Sequence, residues 1–162
     1  MNIFRKKNST PTQMQSRTKE GTIFELAFLV LALLSWGFIV WLISHAPSSV
    51  PTHFNAVGTP DAWGSPTSVL FICVIISVVG AAMLAGAYFP GTINMPFKIE
   101  TPRQIALGMR LMRILAILFL LLTVAIAASS LMPPFRIWPI FAVVALILVV
   151  TFVFTWLMWR AR

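Results

Sequence analysis

The chain has 162 residues and a formal net charge of +8, with a mean hydropathy of +0.90. Hydrophobic residues make up 59% and charged residues 10%, against about 45–50% and about 25% in soluble domains. A fold of this size has too little interior to hide so much apolar surface. That excludes a soluble enzyme, a disordered chain and a disulfide scaffold, and leaves an integral membrane protein.

Residues 1–21 are polar and basic, carrying Arg5, Lys6, Lys7, Arg17 and Lys19 against Glu20. They predict a disordered cytoplasmic tail. Thr22 and Glu25 have capping-box spacing and open a first span over 23–44, long enough to meet the roughly 20 residues that a bilayer requires. Ser44-His45-Ala46 has the small-residue spacing of a signal-peptidase site. The apolar run, however, exceeds the roughly 7–15 residues of a signal core, and Pro47 follows at once, so the run reads as a retained anchor. Residues 45–66 form a loop that ends at Ser65-Pro66, a cap followed by a first-turn proline. The second span covers 67–88. Thr101-Pro102 repeats the same signal ahead of a helix that becomes a third span over 109–131, closed by Pro133-Pro134. A fourth span covers 138–159. Its Trp138 and Trp156 stand about 27 Å apart along a helix, at the two interfaces of a core of about 30 Å. The expected fold is thus an all-α membrane protein, a bundle of four transmembrane helices over 22–162 with an ordered extracytoplasmic loop between helices 1 and 2.

Eleven of the twelve Lys and Arg residues fall in the N-terminal tail, the 89–113 segment or the C-terminus, and Arg136 alone falls on the other side. The positive-inside rule then places both termini in the cytoplasm. The basic stretch with Lys98, Arg103, Arg110 and Arg113 predicts a juxtamembrane segment resting on anionic lipid, or alternatively recruiting a partner. Arg110 and Arg113 are expected to snorkel to the inner interface, and Glu25 to sit in a first helical turn. No ionisable residue falls mid-span, which argues against a coupled transporter. No basic face interleaved with aromatics marks a nucleic-acid site. The single cysteine, Cys73, rules out an intrachain disulfide. Ser77, Ala81 and Ala85, with Ala82 and Gly86, form a small-residue stripe on the second span, of a kind common in such helices.

Residues 50–64, VPTHFNAVGTPDAWG, hold the densest group of unusual side chains. Asp61-Ala62-Trp63-Gly64 has the form of a type I turn, Gly58 suits positive φ, and Pro51 and Pro60 stiffen the backbone. His53, Asn55 and Asp61 are the main polar groups. Phe54 and Trp63 read either as interfacial belt residues or as a binding platform. His45, His53 and Asp61 lie eight residues apart, which matches no zinc motif, so no metal or cofactor is expected. A histidine in such a loop either satisfies turn groups and Asp61 or meets a ligand. No nucleophile–base arrangement with an oxyanion donor is present, and no enzymatic activity is expected.

This stretch resembles the signature of the bacterial membrane-protein family described as domain of unknown function 1648. Pro51, His53, Phe54, Asn55, Gly58, Asp61, Trp63, Gly64 and Ser65 match it, and the following lysine of the signature is replaced by Pro66. The resemblance covers about 24–90 and extends toward Asn94, Pro96 and Lys98. The family is distantly similar to immunity proteins against a sporulation-delaying peptide toxin, which carry more spans. The resemblance implies a non-enzymatic protein of the bacterial cytoplasmic membrane whose outer loop recognises an extracytoplasmic peptide or protein, in toxin immunity or sensing. The alternatives are an accessory subunit of a membrane complex and a small oligomeric transporter.

Overall fold

The computed structural model describes residues 17–162; the first sixteen residues of the predicted tail lie outside the described residues. The elements in chain order are α1 (Lys19–Ser44), β1 (Val50–Phe54), β2 (Pro60–Gly64), α2 (Pro66–Gly86), a short 3-10 turn (Pro90–Thr92), α3 (Pro102–Leu131) and α4 (Trp138–Arg160). All four α-helices are long and apolar enough to cross a membrane. Successive helices alternate in direction. The β1–β2 hairpin and the α3–α4 connection therefore share one end of the molecule, here the hairpin end. The start of α1, the α2–α3 connection and the end of α4 share the far end.

The architecture is less a closed bundle than three helices arranged around α3. This helix packs against α1, α2 and α4, whereas α1 and α2 barely meet. Its buried residues accordingly run around most of the circumference, leaving exposed the face with Arg103, Arg110 and Leu121, and include Gly108, Ala116, Ala125 and Ala127. In lipid, helices gain little from hiding apolar surface from each other, so association depends on close approach through small residues. On α2 the approach is made by Cys73, Ser77 and Gly80. The Cys73 thiol faces the Thr123 carbonyl at 3.8 Å, and the Ser77 and Thr123 hydroxyls are 3.4 Å apart. Ala81, Ala82 and Ala85 of the predicted stripe are instead exposed. Spacing alone marks several small-residue rows on α2, and only the position of α3 selects one.

At the far end, α1 begins a turn earlier than the Thr22–Glu25 spacing predicts. The N-cap is Thr18, whose side chain accepts from the Gly21 amide. Thr22 lies inside the helix. Glu25 is beyond the first turn, where it accepts from the Tyr88 hydroxyl and pairs with Arg17 at 2.9 Å. Burial and the bond to Glu25 hold the Tyr88 phenol above its ordinary pKa, so it remains a donor. Neither arginine expected to snorkel does so freely. Arg110 forms a two-pronged pair with Glu20, at 2.8 and 3.0 Å. Arg113 is buried, with its guanidinium over the Tyr88 ring. The partners, Glu20 on α1 and Tyr88 beyond α2, lie 90 and 25 residues away, outside the reach of a local reading.

The cap at Thr101-Pro102 forms as its spacing predicts. Thr101 accepts from the Gln104 amide, and Gln104 Oε1 accepts from the amides of Glu100 and Thr101. Gln104 is fully buried, and its remaining amide donates to the Met158 carbonyl at 3.0 Å. One side chain thus caps α3 and ties down the last turn of α4.

A Cβ at Gly80 would stand 3.1 Å from the Ala116 carbonyl oxygen and 3.2 Å from Phe119 Cβ, whereas one at Gly37 meets nothing within 4 Å. Gly80→Leu is therefore predicted to destabilise the protein by about 1–3 kcal/mol through overpacking. Gly37→Leu is predicted to leave the thermal midpoint in detergent unchanged.

Candidate functional site

The motif segment folds as an antiparallel hairpin, not as a loop with a turn at Asp61–Gly64, and it adds a small strand pair to the expected all-α fold. Asp61, Ala62, Trp63 and Gly64 lie in β2, and the pairs are Val50 with Gly64, Pro51 with Trp63, His53 with Ala62 and Phe54 with Pro60. The chain reverses over 55–59. The Asn55 amide donates to the Thr59 carbonyl and the Gly58 amide to the Asn55 carbonyl, both at 2.9 Å. Gly58 has φ +84°. This is the three-residue hairpin loop that closes with a residue in the left-handed region. Asp-x-x-Gly suits a turn in isolation, but a turn there would break the strand pairing that Asn55 and Gly58 make available six residues earlier.

Most of the motif residues shape the hairpin. Asn55 Oδ1 accepts from the amides of Val57 and Thr59 at 3.1 and 2.9 Å, a side-chain substitute for a backbone turn. Val50 and Pro51 are buried, and Val50 joins Ile39, Leu42, Val69, Cys73, Ala127 and Leu131 in the core. Proline is tolerated in both strands because a two-stranded ribbon is all edge. A Cβ on Gly58 would lie 2.7 Å from Ile137 Cγ2, and one on Gly64 would lie 2.9 Å from Thr52 Cγ2. The Trp63 ring meets Phe135 edge-on at 5.6 Å. Phe54 is half-buried. The hairpin is thus anchored at its base in the helices and rests its tip and one flank on residues 135–137.

Two motif residues remain free to present polar chemistry. His53 Nδ1 and Asp61 Oδ1 are 2.5 Å apart, and their side chains are 66% and 43% exposed. The carboxylate accepts, so Nδ1 carries the proton. The pairs on either side, Val50 with Gly64, Pro51 with Trp63 and Phe54 with Pro60, share one register that would set His53 directly opposite Asp61; the irregularity at His53 moves it opposite Ala62, with Asp61 still within hydrogen-bond reach. His45 is not part of the group. Its Nδ1 lies 2.8 Å from the Trp41 carbonyl oxygen, and its ring packs on Trp41. No three His, Cys, Asp or Glu side chains gather as metal ligands among the described residues. Pro66, at the position of the signature lysine, is the first residue of α2, where its fixed φ suits the helix and a missing amide costs nothing.

The basic segment does not form one surface. Arg103 is exposed on the first turn of α3, Arg110 and Arg113 are engaged as described, and Lys98 shares a cleft of about 240 Å³ with Glu100 and Arg162. The residues missed by sequence reasoning are the receivers of the hairpin, Phe135 and Ile137. An aromatic and a β-branched residue in a short Pro-rich connection carry no signal of their own.

Four apolar spans and a structured hairpin at one end define a multi-pass integral membrane protein. Residues 30–78 match the family described as domain of unknown function (DUF1648); the match takes in most of α1, the hairpin and the first half of α2. The chain is also similar to an uncharacterized protein of Archaeoglobus fulgidus, 32% identical over 77 residues. That alignment covers 48% of this chain and 40% of the archaeal protein. No solved structure matches significantly.

Gly58→Ala places a side chain at positive φ and against Ile137. It is predicted to cost about 1–2 kcal/mol in backbone strain alone and to lower the thermal midpoint. Asn55→Ala, which strands two turn amides, is predicted to lower it by a similar amount.

Proposed function

We propose that the hairpin faces the extracytoplasmic side of a bacterial cytoplasmic membrane and recognises a peptide or protein there, in toxin immunity or sensing, without catalysing a reaction. The observation that carries this reading is the His53–Asp61 pair, exposed on a ribbon whose shape other residues maintain. Beside it stand apolar groups with little cover, Val57 at 81% and Trp63 at 55% exposure. A rigid backbone presenting a hydrogen-bonded histidine and carboxylate next to apolar side chains suits protein recognition, because little ordering entropy is lost on binding. The basic residues support the orientation, since among the described residues eight of the nine Lys and Arg lie in segments at the far end, Arg136 being the exception. A second reading, an accessory subunit in which the hairpin is a clamp, is favoured by the contacts of Gly58 and Trp63 with Ile137 and Phe135.

The two readings separate in one pair of variants. An exposed polar pair contributes about 0–1 kcal/mol even when both partners are charged, so under the recognition reading His53→Ala and Asp61→Asn keep the thermal midpoint of the parent protein. Cells that carry them lose survival when challenged with peptide toxins. A sharp fall of the midpoint in both variants supports the clamp, and equal survival with and without the gene removes the immunity role. Orientation has its own test: a reporter fused after Arg162 is expected to be active in the cytoplasm, and activity only outside reverses the topology.

A further inference from the structure

Beneath the hairpin, between the start of α2 and the end of α3, lies an open cavity of about 570 Å³. Its lining changes character with depth. Near the hairpin it carries the hydroxyls of Thr52, Ser65, Thr67, Ser68 and Ser130. One to two turns further along, α2 contributes Val69 and Ile72 and α3 contributes Ile126. The helices run in opposite directions, yet both present hydroxyls at the hairpin end and apolar groups below. Ser65 and Ile72 are separated by about 10 Å along the helix, the distance over which a bilayer passes from polar boundary to hydrocarbon. Ile72 is 45% exposed, as is its neighbour Phe71 at 65%, so the cavity opens sideways where acyl chains lie.

Two observations define what the polar end binds. Ser130 is only 6% exposed and lines the cavity, and its hydroxyl has no hydrogen-bond partner among the described residues. The Ser130 hydroxyl is nearly enclosed yet reachable from the cavity, so a ligand entering there supplies the hydrogen bond that the protein does not. The first turn of α2 holds no acidic or basic side chain, so the positive end of its dipole is uncompensated at the cavity mouth, an arrangement that favours an anion. No charged side chain lines the cavity, which suits a singly charged group rather than a polyanion.

We propose that this cavity is a binding site for one glycerophospholipid of the leaflet beside the hairpin. The phosphodiester is held by the hydroxyls of Ser130 and of the α2 first turn, and an acyl chain lies over Val69, Ile72 and Ile126. The site is independent of what His53 and Asp61 recognise. The test is native mass spectrometry of the delipidated full chain, titrated with palmitoyl-oleoyl phosphatidylglycerol, with a diacylglycerol of the same chains and with inorganic phosphate. The expected result is one phospholipid per chain, with binding weakened about tenfold in the double variant Thr67→Val, Ser130→Ala by loss of two hydrogen bonds. Ser129→Ala, outside the lining, is expected to bind as the parent does. Ile72→Trp, which fills the cavity from its exposed side without touching the hydroxyls, is expected to block binding and guards against misfolding of the double variant. Undiminished binding in both cavity variants overturns the site. Equal affinity for the diacylglycerol overturns the phosphate assignment, and protection by inorganic phosphate alone, equal to that by the lipid, overturns the amphiphile.

Discussion

The position of α3 is the constraint on which the structure depends. A helix that packs against three others at once has no face left for bulky side chains at its closest contacts, and in lipid there is no solvent-exclusion gain to offset poor packing. The buried glycine, alanine and hydroxyl residues of α3 follow from this, as does Gly80 opposite Ala116. The Thr123 hydroxyl, which bonds its own helix at Phe119 and meets Ser77 on α2, shows how a polar group is accommodated there. It is never without an acceptor, and it adds a directional contact between helices that dispersion alone would leave free to slide.

The two ends close by different physics. At the hairpin end, closure is apolar and steric: Val50 and Pro51 are buried, Trp63 meets Phe135, and Gly58 leaves room for Ile137. At the far end, closure is ionic and hydrogen-bonded. Glu20 with Arg110, Glu25 with Tyr88 and Arg17, and Gln104 with Met158 tie α1, the α2 exit and α4 to α3. Arg113 is the exception within this network, since its Nε has no hydrogen-bond partner among the described residues. Its charge is offset by the Tyr88 ring and by the carboxylates nearby. A protein that gathers its carboxylate–arginine pairs at one end and closes the other by apolar contact has a built-in polarity, the same one that the distribution of lysines and arginines expresses along the chain.

The four spans were legible because a 20-residue apolar run has few other uses, and the start of α3 was legible because a cap, a proline and a glutamine have fixed geometric roles. The helix count, the Thr101 cap and the ordered nature of the 45–66 segment needed no tertiary information. The start of α1 was misread because Thr18 and Thr22 both precede suitable residues, and the choice between them depends on Tyr88 and Arg113 standing against Gly21. The hairpin was read as a loop for a related reason. Its strands are short, proline-bearing and irregular in register, so period-two alternation is absent, and the turn is set by Asn55 and Gly58 rather than by the more conspicuous Asp61 and Gly64. The roles of Asn55 and Gly58 are chemical and local; those of Phe135 and Ile137 are visible only once two connections distant in sequence lie side by side.

The family match clarifies what kind of unit the hairpin belongs to. Residues 30–78 contain the ribbon and parts of the two helices that carry it, yet those two helices scarcely touch one another. The shared core at the hairpin end is completed by Ala127 and Leu131 of α3, and the ribbon rests on Phe135 and Ile137 beyond it. All four residues lie outside the match. The matched segment is therefore not a self-sufficient fold: it is a presentation device that needs a third helix to close its base and a neighbouring connection to hold its tip. This division also separates the motif by role. Pro51, Asn55, Gly58 and Gly64 build the ribbon from within, Trp63 links it to the second half of the chain, and His53 with Asp61 are what the construction leaves facing outward.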